Sequence, residues 1–449
     1  MHHEFRRLGD GRQAVLRETG RAVTPFGGLV TVVELLRKMG AVGVVRELLP
    51  FRYQSNNRIE PSHTLLAFWL AVMAGARRFA HLQMLRHDRA LQGLCGVRAF
   101  PGDDTARNFF RRFGPGEVER FFPPLWRWFL AHLPPSRERI LDLDSTTLQR
   151  YGEQQQGAVR GYNERRNGRA HRPLLAFLSS PVVVLHGWLR AGNASDCRDA
   201  VQFLREALAL LPPGQAPAGL RADGAFFDQK LLTFLEEQRL RYVIVARRKE
   251  SMQAQLHALT QWRRLDADSD IAQFDWKMPA WTRARRFVVV RLRLPDPAEQ
   301  RLLQVPGYDF RVFVTNRDEP AEWIWQHYDQ RAAIEPRFSE LKTDLGADDF
   351  CLRGFFPTEA AFRSVLFAFN LLSLLQAIAL RGDGQRRPAT LRHSLLTCGA
   401  IAGRAGHKFV LFLAQSWGGL AQRKAVLERI LAADFSTSPK LGHAAAAPP

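Results

Sequence analysis

The chain has 449 residues, 46% hydrophobic and 24% charged, with a formal net charge of +20 and a pI near 10.8. That length and apolar content exclude a largely disordered chain and imply two to four structural units around a sizeable core. The charge points to a polyanionic partner, nucleic acid first and an anionic membrane surface second.

Four widely spaced cysteines, Cys95, Cys197, Cys351 and Cys398, indicate neither a disulfide framework nor a zinc site, and read as reduced cytosolic residues. Residues 1 to about 24 are polar and Arg-rich, have no apolar signal-peptide core, and are expected to be poorly ordered. From Phe26 to about Leu133 apolar residues recur at helical spacing, as in Val33, Leu36 and Met39, with breaks at Pro50, Pro61, Pro101 and Pro115. Within this region PGDDTARNFFRRFGPG (101–116) predicts a short helix capped by Asp104 or Thr105, with Arg107, Arg111 and Arg112 turned away from Phe109, Phe110 and Phe113. It is either a DNA-docking helix or an ordinary amphipathic one. Two long apolar runs, Thr64–Ala74 and Ser364–Leu380, read as buried helices with no membrane role. The first is too short to span, and Asn370, Ser373 and Gln376 interrupt the second.

After Pro134-Pro135 the periodicity changes. Arg139 to Asp144 alternates as a strand, placing Ile140, Asp142 and Asp144 on one face, where two carboxylates invite a metal ion or demand water. Tyr151 to His171 reads as an irregular or hairpin region, and strands at Pro173–Leu178 and Pro181–Leu189 complete three antiparallel neighbours. A helix over Asp199–Leu211 follows. A strand ending in Asp223, a helix over Phe227–Gln238 and a strand at Tyr242–Ala246 then form a β-α-β unit. Asp223 sits at the strand's C-terminal end, where α/β sheets place chemistry, or serves as a helix cap. From Arg247 to Pro306 basic and apolar residues alternate. Arg291 and Arg293 would line one strand face, and Trp262, Trp276 and Trp281 either stack on bases or belong to the core. Phe310–Thr315 makes a last strand.

The segment WIWQHYDQRAAIEPRFSELKTDL, Trp323 to Leu345, predicts a helix with two stripes. Ile334, Phe338, Leu341 and Leu345 form its buried side, while Tyr328, Arg331, Glu335 and Lys342 fall within roughly 60° of one another at 100° per residue. The plain reading is a surface Arg331–Glu335 pair beside a solvated lysine. Further on come a long helix over Glu359–Leu380, an Arg-rich linker at Arg381–Arg387, a helical stretch to about Phe435, and a low-complexity tail.

The spacing Y-x2-R-x3-E-x6-K, preceded by an aspartate ending each of two strands, resembles the bacterial insertion-sequence DDE transposases with a Y-R-E-K signature. LDLDSTT, LRADG, HRPLL (171–175) and LRAGN (189–193) carry the resemblance, which covers about residues 26 to 435. It implies an α/β fold: an RNase H-like catalytic core, a mixed sheet flanked by helices, interrupted by a β-rich insertion, with helical N-terminal and C-terminal regions. The corresponding division is 1–135 (helical, DNA-binding), 136–246 and 319–380 (the two parts of the core), 247–318 (insertion), 381–435 (helical) and 436–449 (disordered). It implies that Asp144, Asp223 and Glu335 are catalytic and hold divalent ions. Carboxylates without His or Cys suit two Mg²⁺ or Mn²⁺ ions.

By the same resemblance Tyr328, Arg331 and Lys342 contact transposon-end DNA; Arg107, Arg111, Arg291 and Arg293 are further DNA-binding candidates from the basic patterning. The implied reaction is metal-dependent cleavage at terminal inverted repeats and strand transfer into target DNA, cut-and-paste. The implied partner is double-stranded DNA, with a homodimer in the synaptic complex and a cytoplasmic, nucleoid-associated location. Alternatives are a non-catalytic DNA-binding regulator and a structure-selective nuclease. Three features depart from the family pattern or leave it open. Pro336 follows Glu335 and predicts a kink or restart there, with α geometry disfavoured at the glutamate. A tryptophan that some relatives use to hold a flipped base has no counterpart near Phe310 and Arg311. The choice of Asp144 over Asp142 rests on the following Ser145-Thr146-Thr147.

Overall fold

The computed structural model describes residues 2–54, 58–136, 138–161, 168–247, 250–294, 307–380 and 384–435. The tail expected at 436–449, and residues 381–383 of the expected linker, lie outside the described residues.

The N-terminal half is built on aromatic helices. Pro61–Ala74 (α1) is apolar on every side and accordingly buried on every side. Asp103–Phe110 (α2) packs Phe109 and Phe110 inward, with Phe110 edge-on to Phe68 at 4.9 Å, and keeps its arginines outward as expected. Its cap differs from expectation. Gly102 occupies the N-cap, because extended backbone at Pro101-Gly102 starts the helix earlier and leaves Asp103 and Asp104 in the first turn, where carboxylates favour the helix dipole. Pro115–Leu130 (α3) follows.

The centre is one nine-stranded mixed sheet. Ile140–Ser145 (β1), Leu174–Leu178 (β2) and Val183–Trp188 (β3) run antiparallel in that order, as expected of three consecutive strands. Ala200–Ala209 (α4) leads to Gly219–Ala222 (β4), Gln229–Glu237 (α5) and Tyr242–Val245 (β5). β4 lies parallel to both β1 and β5, completing the expected β-α-β unit. Strands Arg263–Arg264 (β6), Ser269–Trp276 (β7), Arg285–Arg293 (β8) and Tyr308–Thr315 (β9) then continue the same sheet, since β9 pairs antiparallel with β5. The order is β6-β7-β8-β9-β5-β4-β1-β2-β3.

Arg291 and Arg293, expected as a row on β8, lie two apart on one face of that strand. Arg291 is ion-paired to Asp270 at 2.8 Å and lies over Trp262 and Tyr308 at 4.3 and 4.8 Å, tied into the sheet, while Arg293 is exposed at its end. Val288, Val289 and Val290 before them are all fully buried. Trp281 is buried and Trp262 and Trp276 half-buried.

Phe355–Ala379 is long and apolar enough to cross a membrane, yet 89% of its most apolar window is buried inside the protein, where it packs on β3. Asn370, which interrupts the apolar run, accepts from the Val184 N–H at 2.7 Å and donates to the Val184 carbonyl at 2.8 Å. The edge strand β3 thereby finds partners for its backbone without another strand.

Two expectations about the ends are corrected. His2–Arg6 and Gln13–Arg17 pair as a hairpin rather than lacking order. The C-terminal region is not wholly helical: Ala400–Ala405 and Lys408–Leu413 form a hairpin whose first strand pairs with Ala22–Thr24. Val23 is what a scan of local pattern overlooks, because its partner Ile401 lies far along the chain.

Candidate active site

Parallel pairing of β1 and β4 decides what lies together. Arg221 is opposite Asp142 and Ala222 opposite Leu143, so the next residues, Asp144 and Asp223, end two adjacent strands side by side. Neighbouring strands are about 4.8 Å apart. Asp142, one pair deeper, is fully engaged: its two oxygens accept from Arg221 Nε and Nη2 at 2.7 and 2.8 Å, and both side chains are buried. Arg221 also donates to the His327 carbonyl at 2.7 Å, tying the sheet to the helix above it. Asp144 stands at the rim instead. Its Oδ1 accepts from the Ser145 N–H at 2.7 Å and its Oδ2 lies 2.8 Å from Arg331. Asp223 accepts from the Ala225 N–H at 2.9 Å, capping a short 3-10 turn while staying beside Asp144.

The segment above the rim is not one straight helix. Ala321–Asp329 (α6) tightens into a 3-10 turn at Gln330–Ile334, restarts as α-helix at Glu335–Ser339 (α7), and widens into a π turn at Glu340–Asp344. The restart at Pro336 matches expectation. Glu335 is nevertheless α-helical at φ −56°, ψ −45°, because the break leaves Pro336 in a first turn, where its missing N–H and its ring cost nothing.

The buried stripe holds: Ile334, Leu341 and Leu345 are at most 3% exposed, and Phe338 meets Phe177 edge-on at 5.3 Å. The charged stripe lands on the end of β1 at two points. Arg331 reaches Asp144, and Lys342 donates to the hydroxyl of Thr146 two residues on. Tyr328 packs against Phe313 at 4.9 Å, and Glu335, one turn beyond Arg331, is exposed. Arg331 is thus buried against a carboxylate rather than presented at the surface. Arg107 and Arg111 bond near neighbours in the chain, Asp103 and Asn108, and Arg291 bonds Asp270 on the adjacent strand β7.

A family model described as "Transposase DDE domain group 1" matches residues 6–434. The chain belongs to that family. Among solved structures, the cryo-EM structure of a piggyBac transposase synaptic complex with hairpin DNA is similar at 11% identity and a TM-score of 0.46, over 84% of this chain and 83% of that one. No curated protein matches.

In this DDE transposase the acid pair is electrostatically unusual. Burial pushes the Asp144 carboxyl up to about 6; the Arg331 guanidinium pulls it back and the Asp223 carboxylate pushes it further up. Burial also raises the Tyr328 phenol, against the pull of Arg331 and with the acids adding to the rise. Two crowded carboxylates in a poorly solvated notch call for a cation, and all their donor atoms are oxygen, which fits a hard divalent ion. Among the described residues no three His, Cys, Asp or Glu side chains stand close enough together to hold a metal ion. Arg331 supplies positive charge to Asp144, and Glu335 stands one helical turn away from that arginine.

Sequence reasoning missed the residues that hold the transposase's rim in place. Asp196 accepts from Ser145 Oγ at 2.5 Å and from Arg172 at 2.7 and 2.9 Å, with Arg190 at 3.7 Å. Arg172 and Arg190 belong to the HRPLL and LRAGN pieces, so those fragments carried the signal without its target. Arg221 was missed too. Its clue is that D-L-D and R-A-D, set in parallel register, place an arginine exactly against the inner aspartate.

Proposed function

We propose that this transposase belongs to a DNA insertion sequence and performs metal-dependent cleavage at terminal inverted repeats, followed by strand transfer into target DNA. The observation that carries the reading is the side-by-side placement of Asp144 and Asp223 at the ends of parallel strands, with Arg331 and Lys342 of the Y-R-E-K segment anchored to the same strand end. The order β3-β2-β1-β4-β5, with β2 antiparallel and β4 parallel to β1, supports an RNase H-like core. In this reading that core comprises 136–246 and 319–380, the strands of 247–318 are its insertion, and 1–135 carries DNA-binding surface. In this reading Asp142 is structural, because Arg221 engages both its oxygens in a buried pair.

Asp144 and Asp223 would hold Mg²⁺ or Mn²⁺, and the family resemblance adds Glu335, which does not stand with them in this arrangement; when bound, such ions activate a water or 3′-hydroxyl and stabilise the leaving oxygen at a phosphodiester. The protein's own part is placement. Asp196 and Ser145 fix the strand end, Lys342 braces Thr146, and Tyr328 with Arg331 closes one wall of the acid notch. The proposed partner is double-stranded DNA, in a synaptic homodimer, in the cytoplasm and on the nucleoid.

The test is a linear duplex bearing candidate terminal inverted repeats, incubated with and without Mg²⁺ and scored for cutting and joining. Cutting and joining support the transposase reading. Cutting alone favours a nuclease, and binding alone a regulator.

A further inference from the structure

We infer that α2 is a ridge that enters the major groove of duplex DNA, with the phosphates of the two strands seated in arginine-lined clefts on either side of it. This rests on the DNA reading above. The helix periodicity divides its polar side chains: Arg107 and Arg111, four apart, face one way, while Thr105 and Arg112, seven apart, face the other. On the first side a cleft of about 640 Å³ is lined by Arg107, Arg111 and Arg353, with Gln154 and Gln155. On the second a cleft of about 540 Å³ is lined by Arg52, Arg58 and Arg112, with Tyr53 and Asn108. Glu153 is the single carboxylate lining the first, and none lines the second.

Among the described residues Arg52, Arg111, Arg112 and Arg353 are not ion-paired to a carboxylate: Arg52 donates to the Leu49 and Phe51 carbonyls, and Arg112 lies over the rings of Phe51 and Tyr53. Arg353 is exposed and has no side-chain hydrogen bond or ion pair among the described residues, and Arg111 bonds only the neutral Asn108 amide. Two cationic troughs flanking one helix match a duplex groove: a helix with its side chains is about 10–12 Å across and the major groove about 12 Å wide, with a phosphate backbone along each edge. The crest agrees. Its exposed residues are Asp104 and Asn108, one turn apart. A carboxylate there would be repelled by phosphates but can accept from a cytosine amino group at the groove floor, and an amide can pair with adenine. Charge therefore favours crest toward bases and flanks toward backbone.

The experiment is fluorescence anisotropy of the full chain with a 30-base-pair duplex between about 50 and 200 mM salt. Arg111→Ala with Arg353→Ala removes two of the three arginines lining one cleft, and Arg52→Gln with Arg58→Gln two of the three lining the other. Each pair is expected to lower the slope of log affinity against log salt by about 1 to 2, and the corresponding lysine pairs to restore it. Wild-type protein should also protect guanine N7 in the major groove from methylation. If wild type binds with steep salt dependence and both pairs keep its slope, this surface is wrong and the DNA reading stands. If wild type binds no duplex at all, the reading beneath it fails as well.

Discussion

The Arg331 guanidinium lies 2.8 Å from the Asp144 carboxylate, with the two side chains only 9% and 17% exposed. A cation that belongs to the chain thus stands where an external one is needed. Replacing it by the neutral Arg331→Gln should tighten binding of Mn²⁺ several-fold, measured by titration calorimetry, because one positive charge leaves the notch. Weaker binding would instead mean that the arginine's chief work is to orient Asp144.

Asp144→Asn, Asp223→Asn and Glu335→Gln are each expected to retain DNA binding and to lose cleavage by roughly 10³-fold or more, since the acids act as a unit. Gel-shift and cleavage assays on the same preparations separate the two. A variant that still cuts at the wild-type rate removes its residue from the site.

Asp142→Asn tests the opposite role. Arg221 would be left buried with half its partner, costing about 3 kcal/mol of stability in urea unfolding. Mutating the surface partner Asp318 of Arg241, 90% exposed, should cost far less. Equal losses would show that the inner pair is not the clamp its burial indicates.

The pH dependence has a definite sign. Asp144 sits at about 6 in the fold against an ordinary 3.8, so the native state holds a proton that the unfolded chain has released between those values. Its contribution to stability is therefore complete below about 3.8 and is lost as pH rises through about 6. In metal-free protein, wild type should lose stability relative to Asp144→Asn from pH 4 to pH 6 and run level with it above, as read by urea unfolding across that range. In the same window Mn²⁺ affinity should fall as pH drops below about 6, where proton and ion compete for one carboxylate.

Lys342→Ala removes the brace on Thr146. End binding and complex assembly should weaken while the fold persists, visible as lost gel-shift with an unchanged melting curve. If neither changes, the contact with Thr146 is dispensable for DNA binding.

Local pattern determined much of this protein by itself. Alternation placed β1, short apolar runs placed β2 and β3, helical spacing placed the stripe of Ile334, Leu341 and Leu345, and fixed spacings marked Asp144, Asp223 and the Y-R-E-K segment, because side-chain pattern is set by neighbours in the chain. Even the break at Pro336 was legible, from one residue's missing N–H. What the tertiary structure alone decided is every relationship between strands distant in sequence. The register that sets Arg221 against Asp142 and leaves Asp144 at the rim, the pairing of β9 with β5, and the union of Ala22–Thr24 with Ala400–Ala405 depend on backbone hydrogen bonds whose partners no local spacing encodes.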